Sequence, residues 1–445
     1  MFMNTTETLA EFTVDTAFED LPGEVIEQAK KCFLDWLGVA LGGSSYPIAD
    51  ILTEFAGETG GGEQATIIGK GIKSSTLNVA LTNGALSHVL DFDDTHLDSL
   101  CHISSPIIPA ILALGEYHHV SGADCITALV LGFDISARVG MALGPDHYNK
   151  GWHATSTMGH IGATIASGKL LGLNKKQMCR ALGIGATQAG GLRAVFGTMC
   201  KPLHPGKAAM DGVLSAILAG KGFDSIETIL EVKDGFLQAF STGCDPTNIT
   251  KNLGNSFEIC NNTFKPYASC LLTHPSIDAA LRLRNARDVK LQDIEYIKAR
   301  VSPLAMDVTG KSNPVDTLGG KFSLYYCIAA ALVEGSVGED VFEIKRIQDQ
   351  VMSDLQRIII LEADPGFNNV TAEVIIKTIN GAIHTQKIEI PRGDPRNPLS
   401  FEEIEQKYRS LAGMILEEWK IHSMVDHVKN FEDIDDVGTL MALCC

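Results

Sequence analysis

The chain has 445 residues, enough for two domains, and its 45% hydrophobic and 20% charged residues are an ordinary globular balance. Its 36 Lys and Arg against 54 Asp and Glu give a formal net charge of −18, which excludes a general nucleic-acid binder but not a local basic pocket for an anionic substrate. No apolar run reaches the ~18 residues of a membrane span and the start has no signal-peptide pattern, so no membrane partner and a cytoplasmic location are expected; 11 cysteines without CxxC spacing read as reduced thiols.

In chain order, "LPGEVIEQAKKCFLDWLGVALGG" predicts a helix. Pro22 suits its first turn, Val25, Ala29, Cys32, Phe33, Trp36, Leu37 and Ala40 recur at helical spacing, and Gly42 and Gly43 end it. Up to about residue 265 helix follows helix. "GADCITALVLGFDISARVG" and "GVLSAILAGKGF" are apolar almost all round, which predicts interior helices. Asn174 followed by Gln177 predicts a capping box. Beyond about Lys265 the texture changes. "HPSIDAALRLRNA" and "GKFSLYYCIAAALVEG" read as helices, while "DIEYIKARVS" and "AEVIIKTINGAIHTQKIEI" have β character, with Asn380-Gly381 as a hairpin turn. "SFEEIEQKYRSLAGMILEEW" predicts one further helix capped by Ser400 and returning to the first domain.

Four stretches could carry chemistry. "LSHVLDFDDTHLDSLCHISSP" holds His88, Asp91, Asp93, Asp94, Thr95, His96, Asp98 and His102 between apolar flanks. Such groups can orient a general base or bind polar substrate, and His with Asp can also ligate zinc or iron, but HExxH and EF-hand patterns are absent. "DHYNKGWHATSTMGH" places Tyr148 and His153 ahead of a helix whose free N–H groups could grip an anion; Thr155 or Ser156 could equally be a plain cap. "KPLHPGKAAMDG" sets Lys201, His204 and Lys207 around a helix start, with Pro205 suited to the first turn. Cations oppose the dipole there, a placement explained by an arriving carboxylate or, equally, by lysines pointing into water. "NTFKPYASCLLTHPSIDAA" carries Lys265, Tyr267, Cys270 and His274 at the expected domain boundary. "GIGATQAGG" is neither a Walker A nor a dinucleotide loop, so no nucleotide or NAD is expected.

Taken together, "HVLDFDDTH", "GWHATSTMGHIGAT", "ALGIGATQAGGL", "FGTMCKPLHPGKAA", "FKPYASCLLTHPSIDAA" and "KFSL" resemble the MmgE/PrpD family. The resemblance implies a mainly α protein: a large all-helical domain over 1–265 and 400–445, plus a smaller α+β domain over 266–399. It implies a homodimer and catalysis without metal or organic cofactor on a small carboxylate, of the 2-methylcitrate dehydratase or cis-aconitate decarboxylase type. An iminodisuccinate-like epimerase is the alternative, because "HYNKGWHATST" and "FGTMCK" are similar to that branch. A catalytically silent binding protein on the same fold is the second alternative. Carried over by motif, Asp91, His102, His153 and Lys201 are the catalytic positions, and Thr95, Lys265 and Cys270 contact substrate; Cys270 stands where the animal decarboxylases have a histidine. Tyr148, His204 and Lys207 are added as substrate-binding residues. The shared chemistry is proton movement at a carbon next to a clamped carboxylate, with lysine charge stabilising enolate character, His102 or His153 moving the proton, Asp91 orienting a histidine and Thr95 bonding substrate.

Overall fold

The computed structural model describes residues 4–286 and 289–445. Two compact units share the chain: one comprises the chain up to Thr263 together with Phe401–Cys445, the other Phe264–Ser400.

The first unit is built of helices whose small residues let their axes approach. Helix Thr76–Leu86 and helix Cys200–Gly220 touch backbone to backbone: a Cβ on Gly84 would lie 2.7 Å from Gly206 Cα. Gly159 and Gly162 bring helix Ala154–Leu170 equally close to Pro106 and Ile107 in helix Ser104–His118. Side chains at these glycines would force the axes apart at a cost of about 1–3 kcal/mol each. The expected first helix spans Gly23–Gly43, with Pro22 flanking it rather than inside its first turn. The Asn174–Gln177 capping box forms in both directions.

Helix Gly122–Asn149 differs from expectation. By length and composition it could cross a membrane, yet nearly all of its apolar window is buried inside the helical unit. It carries a buried ion pair, Arg138 Nε to Asp134 Oδ2 at 2.6 Å, and kinks at Gly144 (φ 64°) before Pro145. The unit is also not purely helical. Ala65–Ile67 pairs antiparallel with Ile72–Ser74, and Thr95–His96 with Asn262–Thr263. These strands are two or three residues long, too short for alternation to show. The C-terminal segment forms two helices, Phe401–Ala412 and Glu418–Lys429, because the chain turns at Gly413. It does return to the first unit: Tyr408 packs on Gly38, and Lys407 Nζ meets Asp35 Oδ1 at 2.6 Å.

The second unit carries a four-stranded sheet in the order Ile359–Ala363, Ile294–Val301, Ala372–Thr378, Ile383–Ile388. The first pair is parallel and the other two are antiparallel. Ala372–Thr378 alternates buried and half-buried residues, as a strand with one packed face does. Gly381 has φ 88° in the hairpin, the left-handed conformation that glycine tolerates. Helices His274–Asn285 and Leu324–Glu334 belong to the same unit, the latter ending on Gly335 in the left-handed region.

Candidate active site

The loop between helices Thr76–Leu86 and Ser104–His118 folds back on itself. His96 and Cys101 exchange backbone hydrogen bonds, which returns the chain so that His102 Nδ1 lies 3.3 Å from Thr95 Oγ1. The loop holds two non-glycine residues at positive φ, Asp91 (53°) and Leu100 (57°). Such backbone costs of order 1–3 kcal/mol and persists only where the surroundings enforce it. The His102 N–H donates to Thr155 Oγ1 (3.1 Å), fastening the loop to the start of helix Ala154–Leu170. Thr155 is therefore not that helix's cap. His153 occupies the capping position without a side-chain cap bond, and its own N–H donates to the Gly191 carbonyl (3.0 Å).

Helix Cys200–Gly220 begins earlier than expected. Pro202 is in its first turn, and Pro205 lies inside it, where the missing N–H leaves the Lys201 carbonyl without its usual helical donor. Lys201 is thereby in the first turn with its side chain nearly buried. Its Nζ lies 2.5 Å from Asp91 Oδ1. Asp91 thus faces a lysine through Oδ1. Asp93 touches two imidazoles: its Oδ2 accepts from His88 Nδ1 (2.7 Å) and Ser105 Oγ (2.6 Å) and lies 3.1 Å from His102 Nδ1. Asp93 and His88 stood in the sequence among eight polar residues, and spacing alone could not say which carboxylate faced which base.

The imidazoles form one cluster. His88 meets His102 edge-on at 4.7 Å between centroids and stacks on His153 at 5.7 Å. His153 Nδ1 is 2.9 Å from His204 Nδ1, one donating and the other accepting. Phe196 covers His153 at 4.9 Å and lies under the Lys201 ammonium at 5.4 Å. Burial, reinforced by the nearby imidazoles of His88, His204 and His102 and by the Lys201 ammonium, holds His153 well below the ordinary histidine range. Burial likewise lowers His88 to about 4, against the pull of Asp93. Burial also pushes Asp93 upward, but His102 and His88 outweigh it and leave the carboxyl well below its usual range. At neutral pH the arrangement is a carboxylate, a neutral His153 and a neutral His88 beside the Lys201–Asp91 pair.

The other candidate residues are distributed as follows. His204 is half-buried against His153, its pKa lowered by burial, His160 and Lys201. Lys207 pairs with Asp211 one turn along the same helix, and Asp211 also takes the His160 Nε2 contact at 3.0 Å. The Tyr148 ring lies under the Arg193 guanidinium at 3.7 Å. Lys265 and Cys270 belong to the second unit; Lys265 is buried there, and the Cys270 N–H donates to the Lys321 carbonyl (3.0 Å). Among the described residues, His88, Asp93 and His102 form the group that could hold a metal ion, their ligand atoms lying within 4.8 Å of one another. Both Nδ1 atoms converge on a single oxygen at hydrogen-bond distance, with Ser105 on that oxygen too, which is the geometry of donors around a carboxylate.

The MmgE/PrpD N-terminal domain matches residues 7–248 and the MmgE/PrpD C-terminal domain residues 267–430. The chain belongs to the MmgE/PrpD family. The motifs of this MmgE/PrpD chain that supply Asp91, His102, His153 and Lys201 all fall inside the N-terminal match. Among curated proteins it is similar to the cis-aconitate decarboxylase of Aspergillus terreus, at 29% identity over 98% of this chain and 95% of the relative. It is also similar to the cis-aconitate decarboxylases of Homo sapiens, at 28% identity over 100% of this chain and 95% of the relative, and of Mus musculus, at 27% over 100% and 94%.

Proposed function

We propose that this protein is a cofactor-independent lyase that removes CO2 from a small tricarboxylate of the cis-aconitate type. A dehydratase- or decarboxylase-type lyase is the broader statement that family membership and full-length relatives named cis-aconitate decarboxylase support. The observation that carries the finer reading is the nearly buried Lys201–Asp91 pair beside the imidazole cluster of His88, His102, His153 and His204.

The Lys201 ammonium offers a positive charge in a largely water-excluded place, where a substrate carboxylate would be held and where negative charge would grow on the adjacent carbon as a carboxyl group leaves. When the C–C bond breaks, its electron pair stays on the substrate carbon and delocalises into the remaining carboxylate; CO2 departs. One proton must then reach that carbon. His102, having taken up a solvent proton at Nε2, delivers it to that carbon with the Asp93 carboxylate beside it, and the neutral His153 holds the substrate, since decarboxylation releases no proton to accept. Thr95 hydrogen-bonds substrate and His204 borders the imidazole cluster; Tyr148, Lys265 and Cys270 are proposed as substrate-binding residues from their motifs alone. A cytoplasmic homodimer completes the proposal, and all 11 cysteines are free thiols, which suits a reducing compartment.

The test is turnover of cis-aconitate, 2-methylcitrate and an iminodisuccinate-generating mixture by protein purified with and without chelator. The proposal expects CO2 release from cis-aconitate, unchanged by chelator. Water loss from 2-methylcitrate alone replaces the decarboxylase with a dehydratase. Racemisation alone makes it the epimerase, and no turnover of a folded protein that still binds carboxylates makes it a silent binding protein.

A further inference from the structure

We propose that Asp93 is the positioning residue for the His102 imidazole, fixing its Nδ1–H tautomer and presenting Nε2 as the proton-transfer atom. The inference rests on the function proposed above and adds to it a residue outside the family-derived catalytic set.

The argument begins with donors and acceptors. An ionised carboxylate can only accept, so each group on Asp93 Oδ2 must bring a hydrogen. Three converge there: Ser105 Oγ at 2.6 Å, His88 Nδ1 at 2.7 Å and His102 Nδ1 at 3.1 Å. A neutral imidazole carries one N–H, so donating from Nδ1 leaves Nε2 bare as the base. Thr95 Oγ1, at 3.3 Å from the same His102 nitrogen, is the competing partner and would donate to a bare Nδ1 in the other tautomer, but it lies farther away and carries no charge. His88 is pinned in the same tautomer, and its Nε2 has no partner among the described residues.

The surroundings make this arrangement rigid. Asp93 and His88 are buried, whereas the His102 side chain is 15% exposed, so His102 is the member of the trio that reaches open space. Its backbone is held as well, by the N–H bond to Thr155 Oγ1. A carboxylate that orients an imidazole also stabilises the imidazolium formed when that imidazole takes a proton. Asp91 Oδ1, by contrast, faces the Lys201 ammonium at 2.5 Å.

The test is the 15N–1H correlation spectrum of the histidine side chains together with steady-state kinetics of Asp93→Asn. Wild-type His102 is expected as the Nδ1–H tautomer. Asp93→Asn, of nearly equal shape, is expected to lose that tautomer preference. Its kcat should fall by about 10²–10⁴-fold with KM changed less than about threefold, the pattern of lost proton-transfer alignment. Asp93→Glu should recover part of kcat. The wild-type spectrum needs no variant, so the proposal stays exposed even if Asp93→Asn folds poorly: an Nε2–H tautomer at His102 overturns it. So does a kcat for Asp93→Asn within about threefold of wild type, or a stoichiometric metal on the trio. Absence of lyase turnover with the Nδ1–H tautomer present and lost in Asp93→Asn supports the positioning and overturns the function instead.

Discussion

Asp91 Oδ1 and Lys201 Nζ meet at 2.5 Å across 110 residues of sequence, and Asp91 holds a left-handed backbone to do so. A strained aspartate against a nearly buried lysine fixes the ammonium beside the imidazoles. Lys201→Ala should therefore lower turnover at least about 100-fold. It should also destabilise the fold, on the order of 3 kcal/mol, because the Asp91 carboxylate loses the lysine facing it. Combining Asp91→Asn with Lys201→Met should restore much of the stability and none of the activity. Chemical denaturation and kinetics on the four proteins of this cycle check both halves.

Lys207 gives the contrast. It belongs to the same motif, but Asp211 engages it and its side chain is about half exposed. Lys207→Ala should leave kcat and KM within about threefold of wild type, since its ammonium is turned to the buried Asp211 and not to the imidazole cluster. A 100-fold loss would place Lys207 on the substrate.

The motif "KPLHPGK" showed that cations gather at a helix start, and the family likeness chose Lys201 among them. The motif did not show where the helix begins, because two prolines both fit a first turn; in the fold it begins at Cys200. The long helices were legible because apolar residues recur over many turns. The strand pairs in the first unit were not, being too short for a period to appear. Asp93 is among the named residues but is not singled out, because "DFDD" places three carboxylates within four residues, and spacing does not say that 91 meets Lys201 while 93 meets His88.

The depressed histidines set a pH response. His88, His153, His147 and His204 all have folded pKa values below the unfolded one. The unfolded chain then binds more protons below about pH 6.5, so stability is full above that value and falls as pH drops toward about 4, the folded value for His88. Calorimetry at pH 7.5, 6 and 5 should show Tm decreasing across that window, and His88→Gln should flatten the decrease.

Asp94 acts in the opposite sense. Its carboxyl is buried, accepts from Asn262 Nδ2 (2.6 Å) and Ser104, and is raised to about 7 by burial and then by Asp35. The folded state keeps its proton better than the unfolded chain, so this group's contribution is lost as pH rises from about 4 to 7. Asp94→Asn, which removes the buried charge, should raise Tm at pH 8 and change it little at pH 5. Equal Tm shifts at both pH values would contradict a titrating Asp94.

The central claim is that Lys201 and the imidazole cluster of His102 and His153 act together on the carbon beside a bound carboxylate. Proton NMR of cis-aconitate in D2O measures this most directly, because CO2 loss and deuterium at the new carbon–hydrogen bond appear in one spectrum. Wild type is expected to yield a singly deuterated product, with Lys201→Ala and His153→Ala each at least about 100-fold slower. Near-normal rates in both folded variants, or a wild-type product free of deuterium, would contradict the account.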